Sequence, residues 1–291
     1  MRALSFFLLL GLAALGCHRS PEVAAAVRAE LPGGKRIRVR APSPSAYEHY
    51  LRATILEEQG LYPEALNEIT AALSFDSEDP YLNARAAGLL YVMGAVEQAE
   101  EFCRVALRYD LELPEANLVQ GYLREARGEL SLALTSYRKA LKGEPPLREA
   151  FLAGGTLLLS QKDLKGAEAV FSTLQQHFPE ETAGDLLLAR EATQQNQPER
   201  ALFFYQSALR KDPSDLEVSL QAGRLLAQQN QPEQALAVYQ QALSYEPQEK
   251  RLLNSIISLL QSQKNLPLLD EYQRLLDDLA LEGSLPTGEA R

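Results

Sequence analysis

Few side chains in this chain are of types that carry chemistry, and their spacing brings none of them together. The 291 residues include two cysteines, Cys17 and Cys103, and three histidines, His18, His49 and His177. Metal sites draw histidine and cysteine from short, fixed spacings, and these intervals supply none. Two cysteines cannot build a disulfide framework. Adjacent carboxylates occur at Glu57-Glu58, Glu100-Glu101 and Glu180-Glu181, and a carboxylate pair could divide general acid and base roles. They are expected on outward helix faces or at helix ends, where solvation and the helix dipole account for them. No glycine-rich phosphate loop follows a strand, and no strands are evident. The chain reads as a non-enzyme, with no catalytic residue, cofactor, metal or small-molecule substrate expected.

The elements behind these residues are set by one interval. Ala65, Ala99, Ala133, Ala167, Ala201 and Ala235 are each 34 residues apart, the period of a helix–turn–helix solenoid. Taking Ala46 as position 1, seven units begin at Ala46, Pro80, Pro114, Arg148, Thr182, Leu216 and Lys250. Small residues recur at position 8 (Ala53, Ala87, Gly121, Gly155, Ala189, Gly223) and at position 20, where they let helices approach closely. Aromatic residues recur at position 24 as Tyr137, Phe171, Tyr205 and Tyr239, with Cys103 there as a small buried hydrophobe. Gly60, Gly94, Gly128, Asn196 and Asn230 fall at position 15, where the first helix of a unit should stop in a left-handed cap. Pro145, Pro179, Pro213 and Pro247 fall at position 32 and end the second helix.

These columns resemble the tetratricopeptide repeat. The resemblance implies an all-α, right-handed superhelical solenoid of about seven helix–turn–helix units over 46–283, followed by a flexible tail, 284–291. The aromatic usual at position 4 is replaced by His49, Asn83, Asn117, Asp185, Ser219 and Leu253, which reads as core repacking. The seventh unit has Ile257, Leu269 and Leu276 where small residues belong, as expected of a terminal unit with no neighbour beyond it.

Residues 1–16 read as a signal peptide. Met1-Arg2 starts basic, and the apolar run Ala3–Gly16 is shorter than the roughly 20 residues a spanning helix needs. The segment Ala14-Leu15-Gly16-Cys17 resembles the lipobox of bacterial lipoproteins, with Gly16 and Cys17 matching and Ala14 at the usual leucine position. The resemblance implies that Cys17 carries diacylglycerol and becomes an acylated N-terminus, a membrane anchor whose buried methylenes contribute about 0.8 kcal/mol each. His18 stands where the family's inner-membrane retention signal is an Asp, which implies an outer-membrane protein facing the periplasm. Residues 17–45 read as a basic Pro/Gly linker. Its run Lys35-Arg36-Ile37-Arg38-Val39-Arg40 could lie on anionic head groups or stay solvated and extended by self-repulsion.

Charge narrows the partners. The chain carries a net −10, and residues 46–291 hold 22 cations against 37 anions. A solenoid that acidic repels phosphate backbones, so nucleic acid is not an expected ligand. Stacked repeats present an extended concave surface. The family resemblance implies that positions 2, 5, 9 and 12 touch the partner. These positions carry Tyr47, Tyr50, Tyr81, Tyr91, Leu118 and Tyr122, then Arg190 and Arg224, with Arg85 beside them at position 6. A tyrosine-rich patch rimmed by polar groups suits a protein or peptide ligand of the cell envelope. The lysine and asparagine clamp that some members use on a chaperone's C-terminus is not made here. Lipobox plus repeats is also the layout of pilotin-type lipoproteins that help a pilus secretin assemble, which implies a scaffold for a pilus or secretion complex. An adaptor or regulator of cell-wall or outer-membrane machinery is the competing reading, and a subunit of an enzyme complex the third.

Overall fold

The structure, a computed structural model, describes residues 26–30, 36–40 and 43–282. Cys17, the signal segment and the tail 284–291 lie outside the described residues. Within them, fourteen helices form seven consecutive hairpins: α1 Pro44–Glu58 with α2 Tyr62–Leu73, α3 Pro80–Val92 with α4 Val96–Tyr109, α5 Pro114–Ala126 with α6 Leu130–Ala140, and α7 Arg148–Ser160 with α8 Leu164–His177. The last three are α9 Ala183–Gln194 with α10 Pro198–Lys211, α11 Leu216–Gln228 with α12 Pro232–Tyr245, and α13 Lys250–Gln263 with α14 Leu266–Glu282. Each hairpin packs on the next, making an all-α helical repeat solenoid. No helix among the described residues is long and apolar enough to cross a membrane. In the segment read as linker, β1 Ala26–Glu30 and β2 Arg36–Arg40 pair antiparallel, Ala26 opposite Arg40 and Glu30 opposite Arg36. Sequence reading had the basic run extended but without a partner strand.

Local sequence starts and stops each helix. Pro44, Pro80, Pro114, Pro198 and Pro232 occupy first-turn positions, where a missing amide hydrogen costs nothing. Asp79, Asp163 and Asp215 cap α3, α8 and α11 by accepting backbone N–H bonds at 2.8–3.0 Å. The chain enters the left-handed region at Gly60, Gly94, Gly128, Asn196 and Asn230, as position 15 requires. Lys162 and Lys264 do the same in the fourth and seventh units, where no glycine or asparagine marks the turn.

The position-20 alanines are fully buried. Position 8 faces position 24 of the same hairpin, and the two residues divide a fixed volume. Where position 24 is a large ring, position 8 is glycine: a Cβ on Gly121, Gly155 or Gly223 would overlap the rings of Tyr137, Phe171 and Tyr239 respectively. Where it is Ile69 or Cys103, position 8 is Ala53 or Ala87. The pairing is looser at Ala189, whose partner Tyr205 is half-buried, and is given up in the seventh unit, where Ile257 and Gln273 hold the two positions.

At Asn83, Asn117 and Asp185 position 4 is not apolar repacking. Asn83 is 2% exposed and donates from Nδ2 to the carbonyls of Ser77 and Asp79, while Asn117 does the same to Leu111 and Leu113. Asp185 accepts from Gln175 at 2.8 Å and pairs with Lys211 at 2.6 Å. The two asparagines satisfy the backbone of the turn between units, and Asp185 ties it to side chains of α8 and α10, which an aromatic ring could not do. The seventh hairpin closes the solenoid with the fully buried Leu252, Leu253, Ile256 and Leu260.

Volume sharing between positions 8 and 24 is testable. Gly121→Ala is expected to destabilise the solenoid by about 1–3 kcal/mol, the range for overpacking a filled core. In a Tyr137→Ile background the same change should cost little, because the pair then matches Ala53 and Ile69. Urea unfolding followed by circular dichroism reads the coupling, and equal costs in both backgrounds would refute it.

Candidate functional site: the tyrosine wall

The first helices α3 and α5 pack side by side, and long side chains of α1 reach those of α3, so residues at positions 2, 5, 9 and 12 meet across them. The sequence-predicted tyrosines do come together, but as two separate groups. In the first, Tyr47 stacks on Tyr50 with ring centres 6.3 Å apart, and Tyr50 meets Tyr81 edge-on at 5.7 Å. The hydroxyl oxygens of Tyr50 and Tyr81 lie 3.2 Å apart, within hydrogen-bond reach. Arg85 lies over the Tyr50 ring, its Cζ 5.9 Å from the ring centre, a cation–π distance. Its Nη2 also sits 2.7 Å from Glu57 Oε1. That contact is ionic, not an aligned hydrogen bond, since both Glu57 Oε1 and Arg85 Nε are buried without a hydrogen-bond partner. Glu57 is therefore not on an outward face, as its acidic pairing with Glu58 suggests. Burial raises its pKa and the Arg85 charge opposes that rise.

The second group is built on α3, α5 and α6. Tyr91 and Tyr122 stack nearly parallel, 13° apart with centres at 5.4 Å, and Tyr122 meets the buried Tyr137 edge-on at 5.7 Å. The Tyr137 hydroxyl donates to Glu125 Oε2 at 2.6 Å. This group joins the wall to the volume-sharing pair of Gly121 and Tyr137. Leu118 packs beside it against the same core cluster, so it is more support than surface. Arg190 and Arg224 are exposed on later first helices, apart from both groups.

Sequence reading missed the carboxylates. Glu115 and Glu149 occupy position 2, and Glu57 and Glu125 position 12, so the register that located the tyrosines also locates them. Glu115 Oε2 is buried with no hydrogen-bond partner, and its charge helps hold the Tyr81 hydroxyl neutral. The wall thus combines aromatic faces, hydroxyls and carboxylates. It can hold an apolar or cationic group against π-faces and offer acceptors to its donors.

No metal cluster forms among the described residues. His49 pairs with Glu68 at 2.6 Å, and His177 lies against Phe151 and Phe178. Cys103 is buried, with its thiol pushed up to about 12 by desolvation.

The tyrosines carry a pH signature. Burial first, then the Glu149 charge, pushes Tyr122 up to about 12, and burial also raises Tyr81 and Tyr137. Unfolded tyrosine ionises near 10. These groups therefore stabilise the fold fully below about pH 10, and that stability is lost as pH rises toward about 12. Urea midpoints should fall over that window, and less steeply in Tyr122→Phe. An unchanged slope in that variant would contradict the assignment.

Tetratricopeptide-repeat family models match residues 118–185, 152–215 and 192–258. No curated protein matches the sequence. Among solved structures, the chain is similar to PilW, described as a type IV pilus biogenesis factor, with 18% identity over 75% of this chain and 99% of that one and a TM-score of 0.57. It is equally similar to the C-terminal part of a repeat-containing protein from Cytophaga hutchinsonii, with 15% identity over 81% and 96% and a TM-score of 0.57. Pseudomonas aeruginosa PilF shares 22% identity over 69% and 91%, with a TM-score of 0.49. At these identities the likenesses speak of fold. The family-model matches across residues 118–258, with the 34-residue period, the left-handed turns and the stacked hairpins, support a tetratricopeptide-repeat family protein.

Proposed function

We propose that this chain is a non-enzymatic scaffold that holds a protein or peptide partner against its tyrosine wall, tethered to an envelope membrane by lipid on Cys17. Tetratricopeptide repeats are protein-interaction modules, and the carrying observation is the tyrosine wall itself. Tyr47 is 53% exposed, an aromatic ring stacked on others yet open to solvent. Rings held in place by neighbours lose little entropy on binding, which is why they anchor interfaces. A non-enzymatic reading is supported by the site's chemistry. Burial raises the Tyr81 and Tyr122 hydroxyls, away from a nucleophilic phenolate, and the Cys103 thiol is buried and raised likewise. Assembly of a pilus or secretion complex is the envelope process proposed, supported by the lipobox-like segment Ala14–Cys17 and by the fold shared with a pilus biogenesis factor.

Tether and wall are tested separately. Metabolic labelling with palmitate should mark the native chain and not Cys17→Ser, and equal labelling would remove the anchor. A photo-crosslinking residue placed at Tyr47 should capture one dominant partner in cells. Tyr91→Ala with Tyr122→Ala should reduce that capture about tenfold or more, as expected for interface anchors. Diffuse crosslinks, or capture indifferent to those changes, would refute the wall.

A further inference from the structure

A cleft of about 510 Å³ lies between α4 and α6 with α5 as its floor. It is lined by Arg104 and Arg108 of α4, by Arg124 of α5 and by Arg127 at the C-cap of α5. The spacings are i,i+4 and i,i+3, so each pair shares one helix face. These residues fall at positions 25, 29, 11 and 14, outside the register of the tyrosine wall.

The charge in this cleft is poorly compensated. Arg127 is paired with Glu100. Arg124 donates from Nη1 to the Leu132 carbonyl at 3.2 Å and to Ser136 Oγ at 2.8 Å, both neutral acceptors. Among the described residues, Arg104 and Arg108 form no ion pair. Three guanidinium groups thus face one remaining lining carboxylate, Glu129. This occurs in a segment, residues 46–291, that carries 37 anions against 22 cations in all. Leu107 and Leu123 line the same cleft between the arginines.

We propose that this cleft is a second binding site, which takes an acidic, apolar-flanked peptide segment of a protein partner. The guanidinium is a planar fork of donors that matches a carboxylate. The leucines supply an apolar contact for the residue beside it. A free inorganic anion would leave that contact unused. A flat anionic bilayer does not enter a cleft between helices, whereas a peptide segment does. The site stands on different helices from the Tyr47 group, so both can be occupied at once.

The test uses the full chain and a fluorescein-labelled peptide of alternating glutamate and leucine, read by fluorescence anisotropy. Binding that weakens with salt is expected, with a lysine–leucine peptide showing none. Arg104→Ala with Arg108→Ala should weaken the acidic peptide about tenfold or more, the size of a lost charge-assisted hydrogen bond. Both side chains are exposed, so circular dichroism should be unchanged. Tyr47→Ala should bind the peptide as the native chain does, which separates this site from the wall. The proposal is overturned if the native chain ignores the peptide, if the double variant binds it equally, or if phosphatidylglycerol vesicles displace it through the same arginines.

Discussion

Everything in this solenoid depends on how closely two helices of a hairpin can approach. That distance is fixed by a shared volume at positions 8 and 24. Glycine opposes Tyr137, Phe171 and Tyr239, while alanine opposes Ile69 and Cys103. Interiors are packed to crystal density, so a methyl group added on one side must be removed on the other. The buried alanines at position 20 hold the spacing on the remaining face. With that spacing constant, each unit stacks on the last in one register, and a residue's position number decides which surface it joins.

The tyrosine wall and the arginine cleft are two outcomes of that register. In the first three units, positions 2, 5, 9 and 12 turn aromatic rings and carboxylates to one side, while in the second and third units positions 25 and 29 and positions 11 and 14 bring four guanidinium groups together between helices. The wall is not an independent layer laid over the core. Tyr122 rests on Tyr137, whose ring fills the space left by Gly121. A change in core volume at that hairpin is thereby felt at the surface two rings away.

Much of this was legible in the sequence because the signal repeats. The hairpins, the buried Cys103, and the turns at Gly60, Gly94, Gly128, Asn196 and Asn230 follow from residue type at a fixed interval. Lys162 and Lys264 were not legible as left-handed turns, because lysine has no preference for that conformation and only the register places them there. Nor was the division of the tyrosines into two groups, since ring orientation is decided by partners across helices, Arg85 for Tyr50 and Tyr137 for Tyr122. Position 4 misled for a related reason. Asn83 and Asn117 replace an aromatic in the pattern, yet they serve backbone carbonyls that no pattern displays.

The turns within hairpins distribute backbone strain unevenly along the chain. Five bend at glycine or asparagine, which enter the left-handed region readily, whereas Lys162 and Lys264 hold it against an intrinsic penalty of about 1–2 kcal/mol each. A stack of units coupled only to their neighbours adds such penalties locally and does not spread them. Among the described residues the strained turns therefore sit only in the fourth and seventh units. The first three units, which carry both the tyrosine wall and the arginine cleft, turn at Gly60, Gly94 and Gly128, where no side chain opposes the left-handed conformation. Both surfaces are thus built on hairpins that store no such penalty.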